Sequence, residues 1–129
     1  MTPRLTFSKS EHLCGEKDIS TLFSTGKSYL VYPFRMVYIE MSFVGIDRTN
    51  AQVLISVPKK RFKRAVKRNR IKRQIREAYR IHKHDFVTSL IQKEIRVHLA
   101  INYIADLELE TDILKSKLKT ALDKLLEKL

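Results

Sequence analysis

Cysteine is almost absent. Cys14 is the only one in 129 residues, so no internal disulfide can form, and a reducing compartment such as the cytoplasm is expected. Long apolar runs are missing as well. No stretch approaches the ~20 apolar residues that span a bilayer. Met1 to Gly15 has no apolar core of the kind a signal peptide needs, so no membrane partner is expected. A Gly-rich phosphate loop and a Ser-His-Asp pattern are also missing. Acids are scattered. Two-metal hydrolysis needs several carboxylates converging on ions ~4 Å apart. Here Asp47 falls in turn sequence, Asp85 at an expected helix start, and Asp106, Glu108 and Glu110 in an expected loop. His82 and His84 have no cysteine near them and read as surface histidines. No catalytic residue and no metal ligand is assigned, and no cofactor is expected on the chain itself.

What the chain has is concentrated positive charge. Lys59 to Arg80 reads KKRFKRAVKRNRIKRQIREAYR and holds 12 of the 26 Lys and Arg, with Glu77 as its only acid. That stretch is worth +11 in a chain of net charge +12, so the remainder is close to neutral. From Lys63 to Arg80 there is no Gly or Pro, and most residues favour helix. At 100° per residue Ile71, Ile75, Ala78 and Tyr79 share one face, which can bury. Asn69, Arg73, Arg76 and Arg80 share another, with Lys72 beside them. Like charges stacked this way repel by a few tenths of a kcal/mol per pair, a cost that a polyanion turns into binding. A solvated surface helix mixes its signs; a run of one sign on a neutral body, with a pI near 10, points to nucleic acid. A DNA-reading helix mixes base readers with phosphate contacts. Here nearly every polar residue is Lys or Arg, so a DNA-binding module is the weaker reading and no DNA partner is expected.

The remaining chain reads as a single domain over residues 1–129, with 1–13 a flexible arm. Glu16 to Thr25 is a short helix, with acids in its first turn, Ile19, Leu22 and Phe23 on its apolar side and Gly26 as its stop. Ser28 to Tyr32 is a short extension ahead of Pro33. Phe34 to Met41 is a strand with Phe34, Met36, Tyr38 and Glu40 on one face and Arg35, Val37, Ile39 and Met41 on the other. Turn chemistry over residues 45–50 leads to a strand from Ala51 to Val57, expected to pair antiparallel to the first. After the basic helix, a soft patch from Ile81 to His84 precedes a second short helix, Asp85 to Lys93. Arg96 to Ile104 alternates as a strand with one covered face. Asp112 to Leu129 carries a leucine stripe, with Thr111 as its N-cap. The order is α-β-β-α-β-α, an α/β domain of the α+β two-layer kind, with helices packed on a small mixed sheet.

The run Ala65-Val66-Lys67-Arg68-Asn69-Arg70-Ile71-Lys72-Arg73-Gln74-Ile75-Arg76-Glu77-Ala78, following a strand that ends Pro58-Lys59-Lys60, resembles the "RNR" helix of the bacterial ribonuclease P protein family. The order of elements on both sides fits the family, so the resemblance covers nearly the whole chain. It implies the fold of the second domain of a small-subunit ribosomal protein, with a left-handed βαβ crossover, although about 98% of such crossovers are right-handed. It also implies a subunit that binds the catalytic ribonuclease P RNA and the 5′ leader of precursor tRNA. In that enzyme the RNA holds the Mg²⁺ ions and makes the cut. Carried onto this chain, Arg68, Asn69, Arg70, Lys72, Arg73 and Arg76 contact the RNA subunit or organise its metal environment, Arg80 continues their row, and Lys59, Lys60, Lys63 and Arg64 extend the surface. The family's leader cleft lies between the sheet and the first helix, where aromatic rings stack on bases. Phe23, Phe34 and Tyr38 are the matching aromatics here. The rival reading is a structural RNA-binding protein, ribosome-associated, with no catalytic partner.

Overall fold

The computed structural model describes residues 11–42 and 50–129. Seven elements follow in order: α1 (Glu16–Thr25), β1 (Lys27–Val31), β2 (Phe34–Met41), β3 (Ala51–Ser56), α2 (Ala65–Gln92), β4 (Arg96–Tyr103) and α3 (Thr111–Lys128). The expected turn lies, apart from Asn50, outside the described residues.

The four strands form one sheet in the order β1-β2-β4-β3. The extension before Pro33 is a full strand, making an antiparallel hairpin with β2. The expected antiparallel pairing of β3 with β2 does not occur. β4 lies between them, antiparallel to β2 and parallel to β3. The reason is burial. Val97, Leu99, Ile101 and Tyr103 sit opposite Glu40, Tyr38, Met36 and Phe34 of β2, so placing β4 centrally merges two apolar stripes into one.

Helices cover both faces. On one, α2 and α3 close the main core around Phe34, Met36, Leu99, Ile101, Leu118 and Leu125. Tyr29 ties the hairpin to this layer: its hydroxyl donates to the Ala121 carbonyl at 2.6 Å, and burial pushes its deprotonation well above the usual phenol range. On the other face, Leu22 of α1 packs with Leu13, Val37 and Ala100 in a second cluster. β4 is therefore covered on both faces rather than one, and even His98 is buried, which holds its imidazole below its ordinary pKa. Gly26 ends α1 hard against β2. A Cβ there would lie 2.3 Å from the Leu22 carbonyl oxygen and 3.0 Å from that of Tyr38, so the close approach requires glycine.

Three further expectations are corrected. The basic helix does not stop at Arg80 but runs unbroken for 28 residues to Gln92, so Asp85 lies mid-helix. The polar patch that suggested a break is satisfied from outside the helix. His82 Nε2 lies 3.0 Å from the Lys115 carbonyl oxygen, and Lys83 is buried with its ammonium 2.9 Å from both carboxylate oxygens of Glu11. Thr111 is the first residue of α3 rather than its cap, and its hydroxyl accepts from Gln74 Nε2 at 3.0 Å. The described end of the expected N-terminal arm is tied down. Besides the Glu11–Lys83 pair, Leu13 donates its amide to the Val53 carbonyl at 3.0 Å, so residues 11–13 strap the outer edge of β3.

Candidate nucleic-acid interface

α2 buries Ile71, Ile75, Ala78 and Tyr79 together, the face its spacing predicts. The opposite face is in solvent. Asn69, Arg73 and Arg76 are exposed, and no ion pair among the described residues involves them. Lys72 flanks them half-buried, and Lys59, Lys60, Lys63 and Arg64 are exposed on the approach. That approach is anchored by Phe62, buried with its ring centroid 6.0 Å from that of Tyr103.

Arg68 and Arg80 of the expected row have intramolecular work. Arg68 Nη1 donates at 2.8 Å to the carbonyls of both Phe62 and Lys63, bracing the approach against the helix. Arg80 grips Glu77 with two prongs, at 3.0 Å and 2.5 Å. The hydrogen bond from Arg80 holds the Glu77 carboxyl below the usual range and raises Arg80 in return.

The start of α2 has unusual electrostatics. Its N-cap is Arg64, with no side-chain cap bond, and its first turn has no acid. A helix N-terminus carries about half a positive charge and favours anions. Here Lys63, Arg64, Lys67 and Arg68 crowd it instead. The arrangement costs stability in isolation and suits a phosphate chain, since helix N-termini and guanidinium groups both bind phosphate. Facing this end across an open groove of about 510 Å³ is the segment after β4, with Asp106, Leu107 and Glu108. It lends two carboxylates to the basic surface: Asp106 pairs with Arg61, and Glu108 lies 3.5 Å from Arg70.

The aromatic residues assigned to the leader cleft separate. Phe23 is on α1 with 46% of its surface exposed. Phe34 is fully buried and Tyr38 7% exposed, both on the α2–α3 face. The face beside α1 belongs to their neighbours. By register it presents Leu30 opposite Arg35, and Arg35 opposite Asn102, whose amide donates to the Arg35 carbonyl at 3.2 Å. Leu30, 61% exposed, and the exposed Arg35 are thus the residues that sequence reasoning missed there. Alternation divides β2 into two faces, and only the strand order shows which one α1 overlies. On this side Leu54 of β3 is half-buried against the small α1 cluster.

Among the described residues no three His, Cys, Asp or Glu side chains gather as a metal site, and no helix is long and apolar enough to cross a membrane.

The comparisons with known proteins agree with this geometry. The sequence matches the Ribonuclease P family over residues 7–129. It is 44% identical over 110 residues to the ribonuclease P protein component of Porphyromonas gingivalis, covering 82% of this chain and 77% of that one. It is 41% identical over 81 residues to that of Chlorobium phaeobacteroides, covering 62% and 56%. The solved ribonuclease P protein of Staphylococcus aureus superposes with a TM-score of 0.69 at 23% identity, covering 91% of this chain and 96% of the other. That of Thermotoga maritima superposes at 0.66 and 21%, covering 88% and 96%. An exposed arginine row on a helix that buries its other face, inside this fold and this sequence family, leads to one statement: the chain belongs to the ribonuclease P protein family.

Proposed function

We propose that the chain is the protein subunit of a bacterial, cytoplasmic ribonuclease P, aiding removal of the 5′ leader from precursor tRNA. The observation that carries this reading is the exposed row of Asn69, Arg73 and Arg76 on α2. These side chains grip the phosphate backbone of the ribonuclease P RNA, with Lys72 beside them and Lys59, Lys60, Lys63 and Arg64 extending the contact. Structured RNA is recognised mainly by shape and backbone, which Arg, Lys and Asn serve. The leader runs along the sheet face beside α1, past Phe23, Leu30 and Arg35. Bond cleavage and its Mg²⁺ belong to the RNA subunit.

Reconstitution tests the reading. The rigorously RNA-free protein is expected not to cleave precursor tRNA, with or without Mg²⁺. Mixed with a bacterial ribonuclease P RNA, it is expected to support correct 5′ cleavage at lower Mg²⁺ than that RNA requires alone. Metal-dependent cleavage by the RNA-free protein would place the chemistry on this chain and sink the proposal.

Salt dependence tests the surface. Neutralising Z phosphates makes log K fall with log salt at a slope of roughly −0.7Z to −0.9Z. Arg73→Ala or Arg76→Ala is expected to flatten that slope by about one unit. Both residues are solvent-exposed, so thermal stability should be unchanged. A salt-independent affinity would remove the basic face from the contact.

A further inference from the structure

Part of the basic surface already holds anions. Arg61 and Arg70 are paired with Asp106 and Glu108, while Arg73 and Arg76 are in no ion pair among the described residues. The segment bearing these acids is placed by the fold. The Tyr103 hydroxyl donates to the Leu107 carbonyl at 2.6 Å, and Gln74 Nε2 donates to the Leu109 carbonyl at 3.4 Å and to Thr111 Oγ1 at 3.0 Å. The segment is therefore held at the groove without help from the ion pairs. The Asp106 side chain is 82% exposed, so its contact with Arg61 adds little to stability in water, whereas that of Glu108 is 31% exposed and its oxygen nearest Arg70 is buried. Their effect falls on the surface instead: the stretch Lys59 to Arg76 has no acid of its own, and this segment supplies two.

We infer that Asp106 and Glu108 are built-in competitors for RNA phosphate. The inference rests on the RNA-binding reading above. In the RNA-free protein the two carboxylates occupy Arg61 and Arg70 as intramolecular counter-ions. When the RNA docks, each guanidinium exchanges a carboxylate for a phosphate oxygen, and the carboxylate turns to water. The acids remain in the groove wall and repel the incoming backbone. The protein thus binds RNA more weakly than its count of cations provides, and this segment sets the strength of the grip.

The test is the affinity for a bacterial ribonuclease P RNA at fixed salt. Asp106→Asn and Glu108→Gln are each expected to tighten binding by about two- to fivefold, the size of one exposed ion pair. Glu40→Gln and Glu127→Gln remove the same charge elsewhere and are expected to change affinity by less than half as much. In an Arg61→Ala background the gain from Asp106→Asn is expected to shrink to the part that repulsion alone supplies, because the competition has lost its object. Should Glu108→Gln lower thermal stability, Asp106→Asn on its exposed residue carries the test. Unchanged or weaker binding by Asp106→Asn overturns the inference, as does equal tightening by the distant controls. Failure of the wild-type protein to bind the RNA at all is a different outcome, one that overturns the RNA-binding reading and this inference together.

Discussion

Phe34→Ala is expected to lose about 3–5 kcal/mol of folding stability, the usual cost of emptying a fully buried aromatic site. The ring has no exposed surface and meets Tyr103 edge to face, with centroids 6.4 Å apart. Tyr38→Ala should behave similarly, since its ring packs edge-on against Tyr29 at 5.9 Å. Phe23→Ala makes the contrast. Its ring is nearly half exposed at the end of α1, so stability should hardly change. Binding of leader-bearing precursor tRNA to the assembled enzyme should weaken by about 1–3 kcal/mol, the worth of one stacked base, with little effect on mature tRNA. Urea unfolding and competition binding separate the two outcomes. A stable Phe34→Ala protein that discriminates poorly against mature tRNA would return Phe34 to the cleft.

Lys83→Ala is expected to be as damaging, at about 3–5 kcal/mol, because it leaves the Glu11 carboxylate buried without its cation. Both side chains are almost withdrawn from water, with Lys83 5% and Glu11 11% exposed. The neighbouring Tyr79 hydroxyl shows how closed the site is: burial, then the Glu11 charge, drives its deprotonation far up. Replacing the pair together, Glu11→Leu with Lys83→Met, should recover most of the loss, since an apolar pair of similar volume avoids desolvating two charges. Thermal unfolding of the two single variants and the double variant measures the coupling. Full stability of Lys83→Ala alone would mean that the ammonium contributes nothing where it lies.

Much of this was legible locally. The leucine stripe of α3 and the division of α2 into an apolar and a basic face follow from spacings of a few residues, and each buries as its period predicts; the alternation of β4 marks the strand but not its second covered face. The missed features depend on partners far along the chain. Lys83 and His82 looked like a helix break because their satisfying groups, Glu11 and the Lys115 carbonyl, are 72 and 33 residues away. The pairing of β3 with β4 joins strands separated by the whole of α2. Phe34 and Tyr38 were placed beside α1 because aromatic rings suit stacking, yet alternation fixes only that they share a face. Asp106 and Glu108 read as solvated loop acids, and nothing near them in sequence says that Arg61 and Arg70 stand opposite.

The length of α2 has a consequence for how the molecule is completed. Twenty-eight residues rise about 42 Å. The far half is clamped by Tyr79, Phe86 and Leu90 in the core, whereas the first turn has uncapped amides and crowded cations. Structural support and chemical task therefore run in opposite directions along one rod. On the proposed function the uncapped turn is the one that meets the polyanion, where a phosphate would do what an N-terminal Asp or Ser does elsewhere: satisfy the open amides and quiet the repulsion. On the function proposed above, the finished helix at that end belongs to the ribonucleoprotein rather than to the polypeptide.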